Sequence, residues 1–150
     1  MNWKVVVIGG ILFYIVTFAL GFATGPLLHD GLLKPTYREH SEFWRPELNQ
    51  EPPDMGPLMP RWITTGVIWA LVVAALWDKA RGCFSGPYWR RGLTGGLYLA
   101  VLYAAVLFQW SGVFDLPDKL WLWWSLEGFL YYLVGGAVLG WVTGKLAPGT

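Results

Sequence analysis

Glu127 is the residue whose type and position point most directly to chemistry. It is the only acidic residue within a long apolar run, and it lies seven positions after Leu120, roughly 10 Å along a helix axis. An ionisable side chain inside a membrane helix usually faces neighbouring helices or a water-filled cavity. Tyr131 follows four residues later on the same helix face, where its hydroxyl can donate to the carboxylate. The pair predicts a proton or cation site, or an ion pair with Arg61 or Arg90, of which Arg61 is favoured because it lies on the same predicted side as Glu127. The alternative is a position at the outer headgroup level.

Polar and aromatic residues between the first two apolar runs form the second candidate group. Two histidines with nearby carboxylates have the composition of a zinc site, but the usual metal, haem, deaminase and serine-hydrolase spacings are absent. The single cysteine, Cys83, excludes a multi-thiolate site within one chain. We therefore predict no catalytic residue, cofactor or metal ion, and we leave a lipid-modifying enzyme using His29 and Asp30 as a remote alternative. The residues assigned instead to docking of a partner are His29, Asp30, His40, Trp44 and Arg45.

Glycines recur at four-residue spacing in the last two apolar runs. They are Gly92 and Gly96 in the third run and Gly136, Gly140 and Gly144 in the fourth. Small residues let membrane helices approach closely, so these positions predict helix packing. Glu127 and Gly136 are nine positions apart, which places them on opposite faces of one helix. The favoured interpretation is packing within the chain; the alternative is that one face contacts a partner.

The elements that position these residues are membrane helices. The chain has 150 residues, of which 55% are hydrophobic and 14% charged, whereas soluble domains are about 45–50% apolar and about 25% charged. A hydrocarbon core needs roughly 20 helical residues to cross it. Four runs meet or approach that length, and they predict helices at about 3–24, 60–78, 90–111 and 120–145. The first run is longer than a signal-peptide core, so we expect it to be retained.

Charge placement gives the expected orientation. The short loop 78–91 holds four basic residues (Lys79, Arg81, Arg90 and Arg91), and most acidic residues lie on the other side. The positive-inside rule then places both termini in the cytoplasm and the long loop 25–59 outside. The loop arginines predict contact with anionic lipid headgroups. The net charge of +1 gives no reason to expect a nucleic-acid partner.

Two weak internal sequence repeats suggest how the helices pair. Residues 9–16 resemble residues 95–102, and residues 62–72 resemble residues 124–134. Each half of the chain would then be a helical hairpin. The predicted fold is therefore an all-α integral membrane four-helix bundle of two hairpins, with one long extracytoplasmic loop.

Two short motifs carry a family resemblance. Phe43-Trp44-Arg45-Pro46 in the loop and Met59-Pro60-Arg61-Trp62 at the start of the second helix resemble those of uncharacterised small four-helix bacterial inner-membrane proteins. The resemblance implies an architecture and no activity.

The expected function is that of a non-enzymatic accessory, assembly or scaffolding subunit of a larger membrane complex, with a respiratory or photosynthetic complex as the expected host. Its partners would be membrane lipids and other integral membrane subunits. The alternative is a small oligomeric transporter or channel using Glu127, with further copies of the chain as partners.

Overall fold

Every regular element in the described part of the chain is helical. The structure is a computed structural model that describes residues 1–147, and within them it contains five α-helices and no strand. These are α1 (Trp3–Leu27), α2 (Lys34–Glu39), α3 (Met59–Ala80), α4 (Tyr88–Trp110) and α5 (Asp118–Leu146). The all-α prediction is confirmed. With their adjoining turns, α1, α3, α4 and α5 are long and apolar enough to cross a membrane.

The first helix continues beyond residue 24, its predicted end. Pro26 lies inside α1, and a π-helical turn, Leu28–Leu32, follows directly. Proline has no N–H to donate to the preceding turn, and such positions commonly bend or widen a helix. The widening is visible where Leu33 N donates to Leu28 O, five residues back, at 2.8 Å. The segment read as the start of the outer loop is therefore a helical extension of α1.

The last two helices are antiparallel and packed through glycine. A Cβ added to Gly92 would lie 2.9 Å from Gly140 Cα, and one added to Gly136 would lie 2.7 Å from Gly96 Cα. Both distances are shorter than real Cβ contacts allow. The backbones of α4 and α5 therefore touch at a separation that only glycine permits.

Helix α1 packs against both α3 and α5, and it runs antiparallel to each of them. Near one end of α1, Asn2 N donates to Asp78 Oδ2 at 2.7 Å. Further along, the ring of Phe13 lies where a Cβ on Gly135 would be. At the other end of the helix, Thr24 Oγ1 donates to Glu127. Segment 28–58, which we call the outer segment after its predicted orientation, and the α4–α5 connection consequently lie at the end of the molecule that contains Glu127.

Candidate functional site

The Glu127 carboxylate is surrounded by hydrogen-bond donors from two segments. Oε1 accepts from Thr24 Oγ1 at 2.5 Å and from Tyr131 Oη at 2.6 Å. Oε2 lies 3.1 Å from His29 Nε2. The Glu127 side chain is only 10% exposed, whereas that of His29 is 37% exposed. Both carboxylate oxygens therefore have partners, as a buried charge requires.

A second layer of contacts links this carboxylate to the outer segment. His29 Nδ1 lies 2.7 Å from Tyr37 Oη, and Trp124 Nε1 donates to the same oxygen at 2.8 Å. Trp44 Nε1 donates to the Tyr37 carbonyl at 2.9 Å. The rings of Trp44 and Trp124 also pack edge to face, with centroids 6.1 Å apart. We call this set the Glu127 network: Thr24, His29, Tyr37, Trp44, Trp124, Glu127 and Tyr131.

Two proton arrangements satisfy the donors and acceptors of the network. Trp124 Nε1 can only donate, so Tyr37 Oη accepts from it. With neutral His29, Tyr37 Oη donates to Nδ1 and Nε2 donates to Glu127; with protonated His29, Nδ1 donates to Tyr37 Oη and Nε2 donates to Glu127. Burial raises the pKa of Tyr37 to about 12, opposed by the Trp124 hydrogen bond and reinforced by the Glu127 charge. The phenol is therefore neutral at physiological pH and keeps its proton.

Local structure explains how residues so far apart in sequence meet. The π-helical turn after Pro26 carries His29 toward α5. Leu33 and Leu120 are fully buried and pack together at the same end, beneath Tyr37 and Trp44. Lys119 Nζ donates to Leu32 O at 3.2 Å. These contacts tie the segment after α1 to the first turns of α5.

Tyr131 and Glu127 are in contact as their spacing indicates, but the expected ion-pair partner of Glu127 is wrong. Arg61 is exposed and forms no ion pair with any residue in the range 1–147. The residue that contacts the Glu127 carboxylate is His29. The reason is the π-helical turn, which brings α1 across to α5, whereas Arg61 lies in the first turn of α3.

The five residues assigned to docking do not form one surface. His29 and Trp44 belong to the Glu127 network, so their ring nitrogens form hydrogen bonds within the chain. Asp30 is exposed. His40 Nδ1 lies 3.2 Å from the carbonyl of Thr36, and Arg45 Nη2 pairs with Glu47 Oε1 at 3.2 Å. The structure therefore separates the inward-facing members from the outward-facing Asp30 and Arg45.

All five predicted packing glycines lie at contacts between helices of this chain. Gly92 and Gly96 face Gly136 and Gly140 across the α4–α5 contact, and Gly144 lies against the ring of Tyr88. Glu127, on the opposite face of α5, contacts α1. The glycine face and the Glu127 face of α5 therefore both contact other helices of this chain.

Sequence reasoning missed Thr24, Tyr37 and Trp124 as members of the network. For Trp124 a signal was present, since its position three residues before Glu127 places it on the same helix face. Thr24 and Tyr37 lie on either side of the π-helical turn. No sequence pattern predicts where that turn directs them.

A groove lies beside Glu127 at the surface of the helices. It has a volume of about 310 Å³ and is lined mainly by apolar side chains of α1, the π-helical turn and α5, with Thr24 and Glu127 as its polar members. Within residues 1–147, no three histidine, cysteine or acidic side chains lie close enough together to hold a metal ion. The arrangement can hold or exchange a proton through His29 and Glu127, and it fixes the outer segment on the helices.

Comparison with known proteins identifies no relative of this chain. No protein-family model, curated protein or solved structure matches the chain significantly.

Proposed function

We propose that this chain is a non-enzymatic accessory or scaffolding subunit of a larger membrane complex. Its four long helices would form one bundle of two hairpins in a bacterial inner membrane, with both termini cytoplasmic and the segment between α1 and α3 outside. The observation that carries the proposal is the Glu127 network, which fixes Tyr37 and Trp44 of the outer segment to the membrane helices. A segment held in one conformation binds a partner without first losing conformational entropy.

Further ion pairs give the outer segment its own shape. Glu51 pairs with Arg38 and lies 3.9 Å from Lys34, and Asn49 Nδ2 donates to Ser41 O at 2.8 Å. Its surface also presents the apolar side chain of Phe43, which is 43% exposed. An ordered polar segment with exposed apolar groups is the type of surface that a partner subunit would cover.

Co-purification tests this proposal. The tagged chain, extracted from its native membrane in mild detergent, should elute with larger membrane proteins in fixed stoichiometry. Phe43→Ser should weaken that association, whereas Phe114→Ser should not, because Phe114 has the same 43% exposure but lies in the α4–α5 connection. A chain that elutes alone or only as a homo-oligomer would contradict the proposal. Equal weakening by both substitutions would contradict docking through the outer segment.

A small oligomeric transporter or channel is the second candidate, and the groove beside Glu127 favours it. An acidic side chain within a membrane helix that lines a groove often marks an ion or proton pathway. Against a path through one chain, the core beyond the network is largely apolar, with Phe13, Val73 and Leu139 among its buried side chains. Thr64 and Thr65, which would line the path together with Glu127, are exposed and donate to carbonyls of their own helix.

Flux measurements separate the two candidates. In proteoliposomes, a transporter would lose proton or cation flux on Glu127→Gln and retain it on Tyr37→Phe, which loosens the outer segment but leaves the carboxylate in place. An accessory subunit would show no flux above that of empty vesicles in any of these variants.

A further inference from the structure

A cavity lies at the end of the molecule opposite Glu127. It has a volume of about 520 Å³, which is in the range of small-molecule sites. It opens between the α3–α4 connection and the first turns of α4, and its walls combine charged, hydroxyl, thiol and aromatic groups. They are Cys83, Phe84, Ser85, Arg90, Thr94 and Tyr98.

Arg90 gives this cavity a positive charge that no acidic side chain among residues 1–147 offsets. Asp78 is the only acid at this end, and it is occupied by Arg81 Nε at 3.1 Å and by Asn2 N at 2.7 Å. The neighbouring Arg91 donates to Gly86 O at 2.8 Å and lies over the ring of Tyr88. Arg90 is exposed and lines the cavity, and it forms no ion pair with a residue in the range 1–147. An anion is the complementary ligand.

Residues along one stripe of α4 match the parts of a phospholipid in order. Arg90, Thr94, Tyr98 and Leu102 follow one another at four-residue spacing, so they form one ridge that is inclined to the helix axis. The stripe begins with a cation at the end of the helix, continues with a hydroxyl and an aromatic ring, and ends with an aliphatic side chain. Tyr98 and Leu102 are 66% and 60% exposed, so this part of the stripe faces the surroundings of the helix.

We propose that this cavity binds the phosphate of an anionic phospholipid headgroup, with Arg90 as the main anion contact. Ser85 in the cavity wall supplies a further hydroxyl donor, and the acyl chains lie along the exposed Tyr98–Leu102 face of α4. Arginine suits this role because its fork of N–H groups contacts two phosphate oxygens at once. A zwitterionic lipid also carries a phosphate but has a cationic group beside it, which the Arg90 charge disfavours.

Cys83 provides a direct test because it is the only cysteine of the chain, lines the cavity and is exposed. The full-length chain in detergent is labelled with N-ethylmaleimide, and the rate is followed by intact mass. Added phosphatidylglycerol should slow labelling several-fold, and phosphatidylcholine should not. Arg90→Gln should weaken the protection about fivefold, as expected for one arginine at a lipid surface.

Lys4→Gln is the matched control, since it removes one exposed charge at the same end but outside the cavity. Protection that persists in Lys4→Gln and is lost in Arg90→Gln supports the proposal. Equal loss of protection in both variants would mean that the protection arises from general electrostatic attraction, and it would overturn the proposal. Equal protection by the two lipids would also overturn it. Inorganic phosphate that protects as well as phosphatidylglycerol would show a free-anion site instead of a lipid site.

A folding defect in Arg90→Gln is addressed by a second variant. Tyr98→Ala leaves the arginine in place and removes the ring on which the acyl chains would lie. It should weaken protection by long-chain phosphatidylglycerol and leave that by a short-chain analogue unchanged. Unchanged protection by the long-chain lipid would contradict the proposed path of the acyl chains.

Discussion

His29 and Glu127 lie 98 positions apart in sequence, and their side chains meet with 3.1 Å between Nε2 and Oε2. This contact joins the end of the first membrane helix to the middle of the last one. Through Nδ1, His29 also reaches Tyr37, so the same imidazole connects the carboxylate to the outer segment. The stability of the outer segment should therefore depend on residues inside the membrane helices.

Replacing Glu127 with glutamine tests this dependence. The amide can accept at only one atom, so at least one of the donors from Thr24, Tyr131 and His29 loses its partner. We expect a loss of about 1–3 kcal/mol in the free energy of unfolding. Hydrogen exchange should become faster in segment 28–44 and stay unchanged in α4. Glu39→Gln, at an exposed position, is the control and should behave like the wild type.

The stability of the protein should depend on pH in part through the ionisation of Tyr37. Burial raises its pKa from the ordinary value of 10.0 to about 12, so the folded state favours the neutral phenol. The contribution of this group is then fully present below pH 10 and is lost as the pH rises toward 12. Thermal melting between these pH values should show a decline that Tyr37→Phe reduces. Tyr98→Phe, which alters an exposed phenol, should leave the decline as in the wild type.

The sequence predicted the helices better than their contacts. Apolar runs of membrane length and repeated glycines follow directly from composition and spacing, and both correspond to features of the structure. The partner of Glu127 did not follow, because the first helix was predicted to end at about residue 24. In the structure, the chain continues through Pro26 into a π-helical turn. Hydropathy and spacing report where a helix lies, but they do not report the direction in which a widened turn points His29.

The glycine contact between α4 and α5 predicts a strong effect of one methyl group. Gly136→Ala would place a Cβ 2.7 Å from Gly96 Cα, so the two backbones must separate. We expect destabilisation of about 1–3 kcal/mol, as for other overpacked interiors. Gly82→Ala is the control, since a Cβ there meets nothing within 4 Å. Melting temperatures in the same detergent compare the two, and an equal change in both would show that the close approach does not matter.

Two tyrosine-to-phenylalanine substitutions should change stability in opposite directions. Tyr14 Oη is buried without a hydrogen-bond partner among residues 1–147, while its ring packs against Gly66 and stacks on Phe18. Tyr14→Phe keeps that packing and removes an unpaired polar atom, so we expect a gain of about 1 kcal/mol. Tyr131→Phe removes the donor that lies 2.6 Å from Glu127, so we expect a loss of about 1–3 kcal/mol. Thermal melting of both variants at neutral pH measures the difference, and a loss of stability in Tyr14→Phe would mean that its hydroxyl does have a partner.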